Sequence, residues 1–169
     1  QEQVIEETDE WRLVRNANGA HLKWWKHKAG TPEHVFFEVS DRESWNEMIR
    51  PKLTDENLIR KRINVEGYKN AIKSAHDRNI FFFLNGVNVF ECIHPVCGHE
   101  NMLIGMALDP EWVLDMSNVF ADLIVKCNEI LISEGGKPDG VFFYEDMGFK
   151  AKPFMSPKMY MEMIFPAHK

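Results

Sequence analysis

The fold is decided at Lys137-Pro138-Asp139-Gly140-Val141-Phe142-Phe143-Tyr144-Glu145-Asp146-Met147-Gly148. A turn-forming segment leads into four consecutive apolar residues, and an acidic pair follows at once. An unbroken apolar run of that length suits a strand covered on both faces, the situation of a parallel sheet. A second such run, Ile80 to Leu84, stands ahead of Asn85-Gly86. Between the two lies a long helical pattern. Asp109-Pro110 supplies a cap and a first-turn proline; Val113, Met116, Phe120, Leu123, Cys127 and Ile130 recur at three- and four-residue steps; Gly135-Gly136 ends it. Strand, helix, strand implies parallel βα units.

Working outward, another helix is expected from about Asn64 to Arg78, with Val65, Tyr68, Ile72 and Ala75 on one side. Ser156-Pro157 opens a last helix carrying Met159, Tyr160, Met163 and Ile164. Residues 11–26 read as a hairpin, because Trp11, Leu13, Leu22 and Trp24 alternate with polar residues around Asn16-Ala17-Asn18-Gly19. Val35 to Val39 suits a further strand. Ser40 and Glu43 have capping-box spacing ahead of a short helix with Trp45, Met48 and Ile49, which Pro51 ends.

These elements predict an α/β chain, part of a (β/α)8 barrel. Two parallel strands cannot bury their own faces, and a complete barrel takes about 250 residues against 169 here. Strands are therefore expected to be missing on both sides. The alternative is a small α/β sandwich with an added hairpin. No linker or repeat interrupts the chain, so residues 1–169 are read as one partial barrel domain, with 1–50 an elaboration and 51–169 the βα units. Hydrophobic residues at 44% and charged residues at 27% suit a folded domain. A net charge of -6 argues against a nucleic-acid surface. No apolar run approaches the roughly 20 residues needed to span a bilayer. Three cysteines do not suggest a disulfide framework, and a reducing cytoplasm is expected. The chain begins at Gln1 rather than Met, so the absence of a visible signal peptide weighs little.

In parallel α/β architectures chemistry collects on the loops after the strands. Two such positions are Asn85-Gly86-Val87-Asn88 and Tyr144-Glu145-Asp146-Met147-Gly148. Charges there are costly unless they face a wet site. Asp146 and Glu145 are the catalytic candidates: one carboxylate orients a substrate nitrogen or attacking group, the other accepts a bond from the backbone or from a side chain behind the site. Tyr144, Asn85, Gly86, Asn88 and Gly148 are the candidate substrate-binding residues. In the competing reading one acid caps the next helix and the other is merely solvated. Cys92, His94, Cys97 and His99 have zinc-type donors, but within eight residues and with Pro95 in their midst. They are read as a loop and the first turn of a helix through Met102 and Leu103, with no bound metal. Cys127 is read as core. Trp24-Trp25 among Lys23, Lys26, His27 and Lys28 is read as a hairpin of half-exposed aromatics.

The order Asp109-Pro110-Glu111, long helix, Pro138-Asp139-Gly140, strand, Glu145-Asp146-x-Gly148, Met155-Ser156-Pro157 and Pro166-x-x-Lys169 resembles the uroporphyrinogen decarboxylase superfamily. Upstream, Glu6-Glu7-Thr8 ahead of Asn18-Gly19, then Thr31-Pro32 and an acidic helix with Trp45, extend the resemblance. The resemblance implies a (β/α)8 barrel with a deep cleft and a carboxy-lyase that decarboxylates a tetrapyrrole-type substrate without a cofactor. The superfamily's other activity, transfer of methyl groups between corrinoids and thiols with zinc, is the alternative. A further alternative is a non-catalytic piece that binds a partner chain. The expected partners are a tetrapyrrole or corrinoid small molecule and either a second copy or the missing half of a barrel, with no nucleic acid and no membrane. The arginine-rich segment, the N-terminal aspartate and the C-terminal histidine region of the decarboxylases have no counterpart here, so the chain alone is expected to be inactive. The zinc-binding His-x-Cys of the methyltransferases would also fall beyond it. Where decarboxylases tend to carry Glu-Ser, this chain has Glu145-Asp146, a departure that resembles divergent members and the methyltransferases.

Overall fold

A computed structural model describes residues 2–169. The chain opens with a four-stranded antiparallel meander, β1 (Gln3–Glu7), β2 (Trp11–Arg15), β3 (Ala20–Trp25) and β4 (Glu33–Phe37), in sheet order β1-β2-β3-β4. The expected hairpin is β2–β3, with Trp11 opposite Trp25 and Val14 opposite Leu22. Gly19 at φ +80° supplies the left-handed turn. Four helices follow: α1 (Arg42–Met48), α2 (Arg50–Thr54), α3 (Glu56–Lys61) and α4 (Val65–Asp77). The cap of α1 is Asp41, paired with Ser44 in a capping box, not Ser40 with Glu43. Pro51 opens α2 rather than closing α1, since a first-turn proline loses no helical bond.

Then come β5 (Phe83–Val87), α5 (Val89–Leu108), α6 (Pro110–Gly135) and β6 (Gly140–Tyr144). β5 and β6 are parallel neighbours, with Asn85 opposite Phe142 and Val87 opposite Tyr144, as the two apolar runs implied. A small hairpin, β7 (Gly148–Phe149) with β8 (Lys152–Pro153), precedes α7 (Pro157–Met163) and α8 (Phe165–His168).

Two expectations are corrected. No closed (β/α)8 barrel forms: the strands divide into a four-stranded antiparallel sheet, a two-stranded parallel sheet and a two-stranded antiparallel hairpin. The reason lies in the order of elements. Residues 3–37 spend their strands on a local meander, residues 42–77 form only helices, and the two strands that remain are too few to close on themselves. Nor are β5 and β6 covered on both faces. Phe81 is 66% exposed, Val141 60% and Phe142 58%.

The core sits instead between α5 and α6. Phe90, Ile93, Val96 and Met102 pack against Val113, Met116 and Phe120, with Val39, Trp45 and Ile164 closing its sides. Gly105 lets the helices approach, since a Cβ there would stand 2.8 Å from the Trp112 ring. In α6 the fully buried residues lie in the N-terminal half, Trp112 to Phe120. Cys127 is only half-buried. Met159 packs against the core, Met163 is buried within it and Met161 is exposed.

Asp115 ties the small helices to α6. It accepts a 2.7 Å bond from the buried Trp45 indole Nε1–H, and its carboxylate faces Arg50 Nε at 3.0 Å. Replacing Asp115 by Ala strands a buried indole donor. Urea unfolding of Asp115→Ala is expected to give a loss of about 1–3 kcal/mol. A loss below about 0.5 kcal/mol, the surface-substitution level, would mean that packing alone holds α1 to α6.

Candidate functional site

Parallel β5 and β6 end side by side, and their ends are tied together by three kinds of contact. The Asn88 N–H donates to the Tyr144 carbonyl at 2.9 Å, while the Asn88 side chain caps α5 through the Val89 N–H. Glu145 Oε1 accepts from the Phe90 N–H at 2.5 Å and the Glu91 N–H at 3.3 Å. Glu91 Oε1 in turn accepts the Asp146 N–H at 3.1 Å. The end of β6 thus caps the start of α5, and the start of α5 holds the residue after it. A carboxylate suits this place because the first N–H groups of a helix lack partners and carry its positive dipole end.

The other Glu145 oxygen lies 2.5 Å from His168 Nε2, in a contact bent away from a linear hydrogen bond. The side chains are 9% and 16% exposed, so the pair is close to fully enclosed. His168 Nδ1 lies 3.2 Å from the Tyr160 hydroxyl. The chain's last helix thus lies directly against the strand end, His168 packed on the Glu145 carboxylate. Sequence reasoning singled out Glu145 but missed His168 and Glu91. The signal available was the cost of a carboxylate after an apolar strand, which calls for donors from elsewhere in the fold.

Asp146 is exposed. Its Oδ1 accepts the Gly148 N–H at 3.1 Å, forming a tight turn that leads into β7. The Tyr144 hydroxyl is held above its usual pKa by desolvation, then by the Asp146 and Glu91 carboxylates. Asn85 and Gly86 do not lie on a loop. β5 starts three residues later than the apolar run, so both are inside the strand, with Gly86 opposite Phe143. Asn85 is exposed on the same face as Val87 and Tyr144; Asn88 is half-buried as the helix cap. Tyr144, Asp146, Gly148 and Asn88 thus gather at one end of the parallel pair, with Glu145 turned inward and Asn85 set back in the middle of β5.

The cysteine–histidine segment is not a loop. Cys92, His94 and Cys97 lie in the first arm of α5, which breaks at Gly98, φ +76°, just before His99. A Cβ at Gly98 would stand 2.6 Å from the Phe37 ring, so glycine is needed both for the conformation and for the contact with β4. Burial pushes the Cys92 and Cys97 thiols up to about 12, far from the thiolate that a metal needs. Among the described residues no three His, Cys, Asp or Glu side chains are placed to hold a metal ion. Across the break, the imidazoles of His94 and His99 stack at 4.2 Å, and His99 stacks on Phe154 at 4.7 Å. This stack joins α5 to the segment after β8. Among the described residues no helix is long and apolar enough to cross a membrane.

Comparison of the chain with family models, curated proteins and solved structures finds no match.

The His99 imidazole is held below its ordinary pKa by burial, then by the neighbouring His94 and His34. A histidine that resists protonation when folded lets the unfolded chain bind protons first. Stability is therefore retained above about pH 6.5, the unfolded value, and falls as pH drops below it. Urea midpoints should decline from pH 7.5 toward 5.5, and His99→Phe, which keeps a stacking ring, should flatten that decline. Equal slopes for the two proteins would contradict this account.

Proposed function

We propose that the gathered ends of β5 and β6 are part of the substrate site of an enzyme of uroporphyrinogen decarboxylase type, a carboxy-lyase acting on a tetrapyrrole-like ligand without a cofactor. The observation that carries the reading is Asp146. It is an exposed carboxylate beside Tyr144, on a strand end that Glu145 and Glu91 hold rigidly from beneath. In open parallel sheets, ligands bind outside the carboxyl ends of the strands. The order of motifs around Glu145-Asp146-x-Gly148 supports the same class.

The chemistry follows from these groups. Loss of CO2 from a pyrrole acetate breaks a carbon–carbon bond, and the electron pair must enter the ring. A protonated, cationic ring accepts it, and the freed methylene carbon then takes up a proton. The Asp146 carboxylate, accepting a bond from a ring N–H, favours the cationic ring and stabilises it as charge develops. The Tyr144 hydroxyl, beside Asp146 at the strand end, offers a polar contact to the ligand edge. Gly148 leaves the backbone open to a flat molecule. Glu145 acts as a positioning residue, since its Oε1 accepts from two amides of α5 and its Oε2 is enclosed against His168.

Uroporphyrin, a stable oxidised form of the substrate type, is a practical probe because its binding is read by fluorescence. Asp146→Asn is expected to weaken binding at least about tenfold, equivalent to roughly 1.4 kcal/mol. Its melting temperature should stay within a few degrees of the parent. A mutant that binds unchanged, or one that loses stability by about 1 kcal/mol as a lost cap would, would end the assignment.

A further inference from the structure

The parallel register places Phe81, Phe83, Asn85 and Val87 on one face of the β5–β6 sheet, together with Phe142 and Tyr144. The Phe83 and Phe142 rings meet edge to face at 6.3 Å. A Cβ on Gly140 would touch the Phe81 ring at 3.1 Å, so that ring covers the glycine on this face. All five apolar residues are exposed, from 44% at Val87 to 66% at Phe81. Neither strand contains a charge or a proline, the devices that keep natural sheets from pairing. Two parallel strands open on such a face do not stand alone.

We propose that this face docks on the same face of a second copy of the chain, about a two-fold axis passing beside Asn85. Three observations select a second copy. The first is area. At about 150–250 Å² for each aromatic side chain, the exposed portions amount to roughly 500 Å² per chain. Two copies then bury on the order of 1,000 Å², the lower bound for a specific interface. The second is charge. The chain carries a net charge of -6, yet the patch is neutral, so two copies can meet there without placing like charges in contact. The third is Asn85. It is the polar group at the centre of the apolar face, and a two-fold axis sets its amide against its own mate. Each amide has both donors and an acceptor, so the pair satisfies itself. The strand ends with Asp146 stay at the rim, where the second copy adds a wall to the site that two strands leave open.

The dimer does not depend on the ligand reading, because association is measured with no ligand present. Sedimentation velocity over a concentration series from about 1 to 200 µM should show a reversible dimer, with a micromolar dissociation constant suited to so small an area. Asn85→Asp sets two carboxylates face to face and should weaken association at least about tenfold. Phe142→Asp should do the same. Val4→Asp, in the separate exposed region on β1, should leave it intact. All three positions are exposed, and circular dichroism and urea midpoints verify that each variant is folded. A chain that is monomeric throughout the series overturns the proposal. So does a dimer unaffected by both Asn85→Asp and Phe142→Asp, or one abolished by Val4→Asp.

Discussion

The carboxylate of Glu145 is the point on which three parts of the molecule meet. It ends β6, caps α5 and pairs with His168 near the end of the chain. Each of those partners needs it. The first amides of α5 have no helical acceptor, and the His168 Nε2 is cut off from solvent. Removing a carboxylate from such a place leaves buried donors without a partner, which costs more than the bonds contribute when made. Glu91 returns the bond by holding the Asp146 amide. At the opposite end of the strands Asp139 plays a matching part, accepting from the Phe82 N–H at 2.8 Å and lying 3.0 Å from His76 Nε2. The small parallel sheet is thus pinned at both ends by acids, while much of its side-chain surface stays bare.

In the proposed reading, that arrangement links stability to ligand binding. A two-stranded parallel sheet has little packing energy of its own, so its geometry rests on end contacts and on the inner residues Leu84 and Gly86. The same rigidity fixes the backbone beneath Asp146, the kind of support a binding group needs to meet a ligand without reordering. The kink of α5 extends the effect. Gly98 seats Phe37 of β4 and sets His99 against Phe154, so the antiparallel meander, the central helices and the segment after the strand end are in direct contact.

Much of this was legible in the residues. The strand–helix–strand core, the parallel pairing and the cap of α6 at Asp109 follow from apolar runs, helical spacing and Asp-Pro. The barrel was not there to be read. Continuous apolar runs suggest cover on both faces, but here only Leu84 is buried, while Phe83 and Phe142 on one face and Val141 on the other stay exposed. The start of β5 was misplaced because Phe81 and Phe82 are as strand-like as Phe83; Asp139, distant in sequence, fixes where pairing begins. The acidic pair was visible as a pair but not as two roles. Nothing local distinguishes Glu145, turned in to α5 and His168, from Asp146, turned out to solvent. That distinction depends on Glu91 and His168, 54 and 23 positions away by their numbers in the chain.

The central claim is that the stitched ends of β5 and β6 form a preorganised ligand site. Amide chemical-shift mapping during titration with uroporphyrin tests it most directly. The account predicts shifts concentrated at Val87, Asn88 and Tyr144 to Gly148, with the Phe90 and Glu91 amides little moved because Glu145 already holds them. Shifts confined to the β1–β4 sheet, or none at saturating uroporphyrin, would contradict it.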